Sequence, residues 1–331
     1  MGSTWPTAKS VMFTKKKHGY LQVIVMNRIT RNVKKARRPL NIAQININGL
    51  SNHSQIALER FIEVHEISLM ALQEVKITKD KISSVTLSGG MQKFLSPKTD
   101  KTSGVGLLIH SNLRPQRMQN LEEPDLDIVW CMVKLGSFNT LIASVYCPPL
   151  NEDVTTLKKI LANMNLALNY GKNNGIENML VLGDFNSRNI NWCDTKTNQR
   201  GRVLLKHIND SNYTIFTPVE KTYVCVNGGG SVIDLMIGHG EIADQVEVSW
   251  LEKTVELYSG APQRGHYPVI YTLTAQSHKG EKKSVNDYSS TDWDMWKDYL
   301  DRELAIHSHL IENDVIIGEE KLVDIVCRNP R

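Results

Sequence analysis

The chain reads as an α/β sandwich of four layers, two packed and mostly antiparallel β-sheets with helices on their outer faces. Two observations predict it: strand-length apolar runs recur along residues 40–275 with few helices between them, and the helices that do occur are amphipathic. Leu40 to Ile47 opens the series as a strand. Ser54 to His65 follows as a helix carrying Ile56, Leu58 and Phe61 among polar residues. Ile67 to Leu72, Val105 to His110, Ile128 to Leu135 and Leu141 to Tyr146 are further strands. Leu157, Ile160, Leu161, Met164 and Leu168 recur at helical spacing, so Glu152 to Tyr170 is a helix. Strands near 179–183, 232–237, 245–250 and 268–274 complete the set, with a helix near 200–209.

A chain of 331 residues, 41% hydrophobic and 22% charged, can bury a full core. Its apolar runs, such as Leu21 to Met26, fall far short of the roughly 20 residues a membrane span requires, so no membrane partner is expected. Cys131, Cys147, Cys193, Cys225 and Cys327 are odd in number and form no Cys-x-x-Cys pair. That argues against a disulfide framework and a structural zinc site, and it predicts a reducing, intracellular location. The net charge of +4 conceals an asymmetry, because residues 1–38 hold ten Lys or Arg and no acid, leaving 29 bases against 35 acids elsewhere. Residues 1–39 are therefore read as a basic, disordered N-terminal arm. Its Lys34, Lys35, Arg37 and Arg38 would meet nucleic-acid phosphates or serve as a nuclear address, and a mitochondrial presequence is a further reading of the same composition. Residues 40–275 form the main domain. Gln276 to Ser290 reads as a linker, and Thr291 with Asp294 resembles a capping box before a helix carrying Trp293, Trp296, Tyr299, Leu300 and Leu304, so 276–331 is a linker and C-terminal helical segment.

Residues that carry chemistry cluster at the strand ends. In Gly183-Asp184-Phe185-Asn186, an extended backbone would aim the Asp184 carboxylate and the Asn186 amide at one point, a pairing suited to a phosphodiester; the competing reading is a turn held by side-chain to backbone bonds. Asn46 and Asn48 repeat that spacing after the first strand. Glu74 closes the second strand, where a carboxylate entering a buried layer needs a cation or a donor. Tyr146 ends another strand with a phenol that can donate to phosphate. Asp234 and His266 make a candidate acid–base pair, since a carboxylate on one imidazole nitrogen fixes the tautomer and raises basicity.

The ordered set Asn46, Glu74, Tyr146, Asp184 with Asn186, Asp234 and His266, with Leu72-Gln73-Glu74-Val75-Lys76 and Gly104-Val105-Gly106-Leu107-Leu108, resembles the endonuclease/exonuclease/phosphatase superfamily, whose fold is DNase I-like. The resemblance spans about residues 40–275. Ile42-Ala43-Gln44-Ile45-Asn46, Tyr146-Cys147-Pro148-Pro149 and Ser231-Val232-Ile233-Asp234, with the Trp-bearing helix, are most similar to the endonuclease domain of non-LTR retrotransposons. In such elements that helix leads into a reverse transcriptase, which is not expected within these residues. The resemblance implies a metal-dependent endonuclease that nicks DNA and leaves a 3′-hydroxyl. It implies Mg²⁺, or Mn²⁺ in its place, at Glu74 with Asn46 and Asn48, and DNA as partner with no obligate protein partner. Asp184 would activate water, His266 oriented by Asp234 would act as base or donor, and Asn186, Asn46 and Tyr146 would hold phosphate oxygens.

One position departs from the family pattern. Where relatives have Ser-Asp-His, this chain has Arg264-Gly265-His266, and the missing carboxylate implies reduced activity. A catalytically impaired DNA-binding remnant and a phosphomonoesterase of the same superfamily are the alternatives. The order Ser231, Asp234, His266 also matches that of α/β-hydrolases, but Ile233 stands where the nucleophile elbow needs glycine. Gly228-Gly229-Gly230 lacks a following Gly-Lys-Ser/Thr and reads as a turn.

Overall fold

The computed structural model describes residues 39–86, 89–98, 103–149, 153–225, 228–246 and 265–274, with the backbone of 10–15, 21–26 and 247–251. All belong to one compact unit within residues 1–278. In chain order the strands are β1 (Ser10–Lys15), β2 (Leu21–Met26), β3 (Leu40–Asn46), β4 (Ile67–Gln73), β5 (Met91–Ser96), β6 (Val105–His110), β7 (Gln116–Arg117), β8 (Asp127–Leu135), β9 (Phe138–Tyr146), β10 (Asn178–Asp184), β11 (Thr214–Pro218), β12 (Tyr223–Val224), β13 (Gly230–Ser231), β14 (Asp234–His239), β15 (Val246–Leu251), β16 (Gly265–His266) and β17 (Val269–Leu273). The helices are α1 (Asn52–Val64), α2 (Thr155–Asn173) and α3 (Gln199–Ser211).

Two sheets carry the fold, one of eight strands in the order β2-β1-β11-β14-β10-β9-β8-β7 and one of six in the order β15-β17-β3-β4-β6-β5. Each has one parallel pair near its middle, β3 with β4 and β9 with β10, and a helix makes each crossover. Every other pairing is antiparallel.

Alternation along the strands sorts the side chains into three cores. In β3, Leu40 and Ile42 face the layer between the sheets, whereas Ala43 and Ile45 face α1. In β10, Leu180 and Leu182 face the inter-sheet layer, whereas Met179 and Val181 face the helices α2 and α3. Three apolar layers between two sheets and their outer helices give the expected four-layer α/β sandwich.

The helices have local causes. Ser51 caps α1 by accepting from the Ser54 amide, and Asn198 caps α3 by accepting from the Gly201 amide. In α2, Leu157, Ile160, Leu161, Met164, Ala167 and Leu168 form one buried stripe. Asn163 on that helix anchors it to the sheet, accepting from the fully buried Trp130 indole at 2.9 Å.

Three expectations need correction. The buried face of α1 is Ser54, Gln55, Leu58 and Phe61, and Ile56 is 68% exposed. Residues 10–15 and 21–26, within the arm read as disordered, pair as an antiparallel hairpin that extends the eight-stranded sheet from β11. Their apolar and β-branched content suits strands. β5, β11 and the two-residue strands β7, β12, β13 and β16 add to the predicted set. The basic cluster Lys34, Lys35, Arg37 and Arg38, the linker, the Trp-bearing helix and Cys327 lie outside the described residues.

Candidate active site

The inter-sheet faces of five strands end in polar residues at the same end of the sandwich. Continuing by twos from Leu40, Ile42 and Gln44 leads to Asn46 on β3, and from Leu180 and Leu182 to Asp184 on β10. Ile142 and Ser144 lead to Tyr146 on β9, and Met236 stands two residues from Asp234 on β14. Register completes the assembly. Asp184 stands opposite both Tyr146 and Asp234, and Asn46 opposite Gln73, the residue before Glu74.

The side chains form one connected network. The Asn46 amide donates to Glu74 at 2.7 Å and to Asp184 at 3.1 Å, joining the two sheets across the site. His266 Nδ1 lies 3.0 Å from both Asp234 oxygens, and its Nε2 lies 3.7 Å from Asp184. Glu74 is also held by Lys76 at 2.6 Å and by the Tyr146 hydroxyl. The predicted residues thus come together, with two changes of role in the resting protein. Tyr146 donates to Glu74, and Asn186 donates its side-chain amide to the Cys147 carbonyl at 3.0 Å.

The two Asx pairs do repeat one geometry, but it is a turn rather than an extended strand. β3 and β10 stop at Asn46 and Asp184, and the Asn48 and Asn186 amides fold back onto the Asn46 and Asp184 side-chain oxygens at 3.2 and 3.0 Å. Asn48 and Asn186 have φ of 48° and 46°, and Glu74 and Lys76 join them in the left-handed region at 51° and 48°. Four of the eight positive-φ residues other than glycine among the described residues thus flank this site, a concentration of backbone strain typical of functional positions.

Lys76 is a contact of the site that the sequence reading did not single out. It carried a signal, as the last residue of the matched Leu72 to Lys76 motif. Its ammonium also bonds the Asn48 side chain, tying the two loops together. Asp194 is a second omission. Paired with Arg188 at 2.7 Å, it accepts from the Val232 amide at 2.8 Å and so steadies the approach to Asp234.

Electrostatics separate the acids. Burial raises the Asp184 carboxyl to about 7, with the Asp234 charge adding to the rise and the His266 charge and Asn46 opposing it. Burial also opposes Glu74, but bonds from Asn46, Lys76 and Tyr146 outweigh it and hold that carboxyl below its ordinary value. Burial alone would lower His266, yet the charge and hydrogen bond of Asp234, with the charges of Asp184 and Glu74, carry it up to about 9. Burial pushes the Tyr146 phenol far above its ordinary range, so it stays a donor.

Asp184, Asp234 and His266 present ligand atoms within 4.8 Å of one another, a group that could hold a metal ion. With Glu74 and the amide oxygen of Asn46 nearby, this oxygen-rich donor set fits a hard divalent cation. Gly265, at φ 104°, brings no carboxylate beside His266.

A family model described as endonuclease-reverse transcriptase matches residues 140–259. Two curated relatives, each an RNA-directed DNA polymerase from mobile element jockey, are 21% identical: that of Drosophila funebris over 85% of this chain and 29% of its own length, and that of Drosophila melanogaster over 82% and 28%. The chain thus spans under a third of those relatives. Among solved structures, the endonuclease domain of TRAS1, a telomere-specific non-LTR retrotransposon, aligns with a TM-score of 0.55 at 14% identity, covering 71% of this chain and 98% of that one. An AP endonuclease from Archaeoglobus fulgidus aligns at 0.53 and 12% identity, covering 71% and 99%. A 3′-5′ exonuclease from Neisseria meningitidis aligns at 0.53 and 16% identity over the same shares. The chain thus has a DNase I-like fold, and in motif order and in these matches it resembles the endonuclease domain of non-LTR retrotransposon proteins.

Proposed function

We propose that the domain is a metal-dependent DNA endonuclease that hydrolyses one phosphodiester bond and leaves a 3′-hydroxyl, as target-primed retrotransposition requires. The observation that carries this reading is the connected network Glu74–Asn46–Asp184–His266–Asp234 at one end of the sandwich. Mg²⁺, or Mn²⁺ in its place, held by Glu74 with Asn46 and Asn48, would supply charge neutralisation at the scissile phosphate.

The chain's own residues divide the remaining work. Asp184, with its carboxyl near 7, is poised to take a proton from water at neutral pH. His266, carried to about 9, is an imidazolium there and donates from Nε2 to a phosphoryl oxygen, while Asp234 fixes its orientation through Nδ1. That protonation state selects the donor role over the base role. Tyr146, Asn46 and Asn186 bind the remaining phosphate oxygens, and the arm residues Lys34, Lys35, Arg37 and Arg38 add affinity for the DNA backbone. An intracellular, nuclear location accompanies this function.

Chain extension tests the product. Supercoiled plasmid nicked by the purified domain should prime a DNA polymerase directly. A nick that primes only after phosphatase treatment carries a 3′-phosphate and contradicts the proposed bond cleavage. Gly265 supports a second reading, a DNA-binding remnant with impaired chemistry. Salt-dependent DNA binding without any nicking would select it.

A further inference from the structure

His266 is carried by a strand that belongs to neither of the two large sheets. It belongs to a small sheet in the order β13-β12-β16, in which Tyr223 pairs with His266 and Val224 with Gly265. Thr222, immediately before β12, is fully buried and bonded both to the segment that leads into Asp234 and to the residue after His266. Its hydroxyl oxygen accepts from the Ile233 amide at 3.1 Å and the Asp234 amide at 3.2 Å. Its hydroxyl proton points to the Ser231 carbonyl at 3.4 Å, which also accepts from the Thr222 amide at 3.0 Å. Its carbonyl accepts from the Tyr267 amide, next to His266, at 2.8 Å. The next residue, Tyr223, lays its ring against the His266 imidazole, with centroids 4.8 Å apart and planes tilted by 49°.

We infer that Thr222 is a positioning residue for the His266–Asp234 pair, with Tyr223 packed directly on the imidazole. Asp234 begins β14, whereas His266 arrives from a separate part of the chain, 32 residues later. A two-residue strand such as β16 holds too few ladder bonds to fix an imidazole against a carboxylate alone. Thr222 supplies a common reference, since one side chain and one peptide unit bond the amide of Asp234 and the amide just beyond His266. A hydroxyl is the group required, because it accepts from two amides while donating to a carbonyl. Valine has the same shape and satisfies none of these bonds.

The kinetic arm of the test rests on the nuclease reading, and the spectroscopic arm does not. Thr222→Val should lower kcat about tenfold to 100-fold with KM within about twofold, the range seen when outer-shell partners of active-site groups are lost. Thr222→Ser, which keeps the oxygen, should stay within about threefold of wild type. In ¹⁵N-labelled resting protein, the hydrogen-bonded Nδ1 proton of His266 should give a low-field NMR signal in wild type and Thr222→Ser. That signal should be lost to exchange in Thr222→Val. Should Thr222→Val fail to fold, Tyr223→Leu takes its place, with the same signal expected to broaden. A wild-type signal in folded Thr222→Val, or in Tyr223→Leu where Thr222→Val does not fold, overturns the inference, as does a Thr222→Ser signal lost as fully as that of Thr222→Val. A wild-type protein that nicks no DNA would sink the nuclease reading while the NMR arm still decides the role of Thr222.

Discussion

At the scale of single residues, the opposed environments of three acids set the chemistry. Glu74 is ionised because donors surround it, whereas Asp184 is held near 7 by burial, and His266 near 9 by carboxylates. The cleavage rate should therefore rise as pH passes about 7, where Asp184 ionises, and fall as it passes about 9, where His266 loses its proton. A pH–rate profile on plasmid substrate measures both limbs; a rate that keeps climbing through pH 10 contradicts the donor role of His266. Folding stability follows with a definite sign. Both pKa values are raised above the ordinary values of 3.8 and 6.5, so these groups bind more protons in the folded state, and the stability they contribute is lost as pH rises toward about 9. Gly265 makes a separate prediction. Its φ of 104° disfavours any side chain, so restoring the family's carboxylate as Gly265→Asp should destabilise the domain by about 1–3 kcal/mol. Urea unfolding of the variant checks this, and an unchanged midpoint contradicts it.

At the scale of elements, the contact of β9 with β10 positions the site. A Cβ added at Gly183 would stand 2.1 Å from the Val145 carbonyl oxygen, so only glycine lets β10 lie against β9 immediately before Asp184. Gly183→Ala should destabilise by about 1–3 kcal/mol through overpacking. It should also cut nicking by about 10²-fold, since an ångström of displacement at Asp184 is enough. Thermal melts and nicking rates on one preparation measure both, and a variant equal to wild type in each refutes this account of the strand contact. The long strands and α2 were legible in the sequence because burial on a fixed period leaves a pattern. β5 was not, as Met91–Ser96 is a largely half-buried edge strand whose residues alternate weakly. The strands of the small sheet were not either, since two residues cannot display a period. On α1, apolarity pointed to Ile56, while the structure buries Ser54 and Gln55 instead. Ser54 donates to the Gly49 and Ser51 carbonyls, and Gln55 accepts from the Thr86 amide. Site residues were legible where an unexpected polar group stood at a strand terminus, as Asn46, Asp184 and Asp234 do. Thr222 gave no signal, because its function lies in backbone partners that only the fold assembles.

At the scale of the whole molecule, the sandwich converts alternation within strands into convergence between sheets. Each inter-sheet face is apolar along its length and polar at one end, so packing the two sheets collects the polar ends into a single site. In the proposed function the basic arm would add a second contribution, to affinity for the DNA backbone. Replacing Lys34, Lys35, Arg37 and Arg38 by Gln should reduce the slope of log K against log salt for duplex binding by up to about 3.6, at roughly 0.9 per phosphate contact. A slope unchanged across 50 to 200 mM salt, measured by fluorescence anisotropy, removes the arm from the DNA interface. In the proposed function the network around His266 and Asp184 cleaves phosphodiesters. Nicking of supercoiled plasmid by the wild-type domain and by His266→Ala, with Mg²⁺ and with chelator, tests it most directly. Mg²⁺-dependent nicking should fall by about 10²- to 10⁴-fold in the variant, and equal nicking by the two proteins would contradict catalysis by this network.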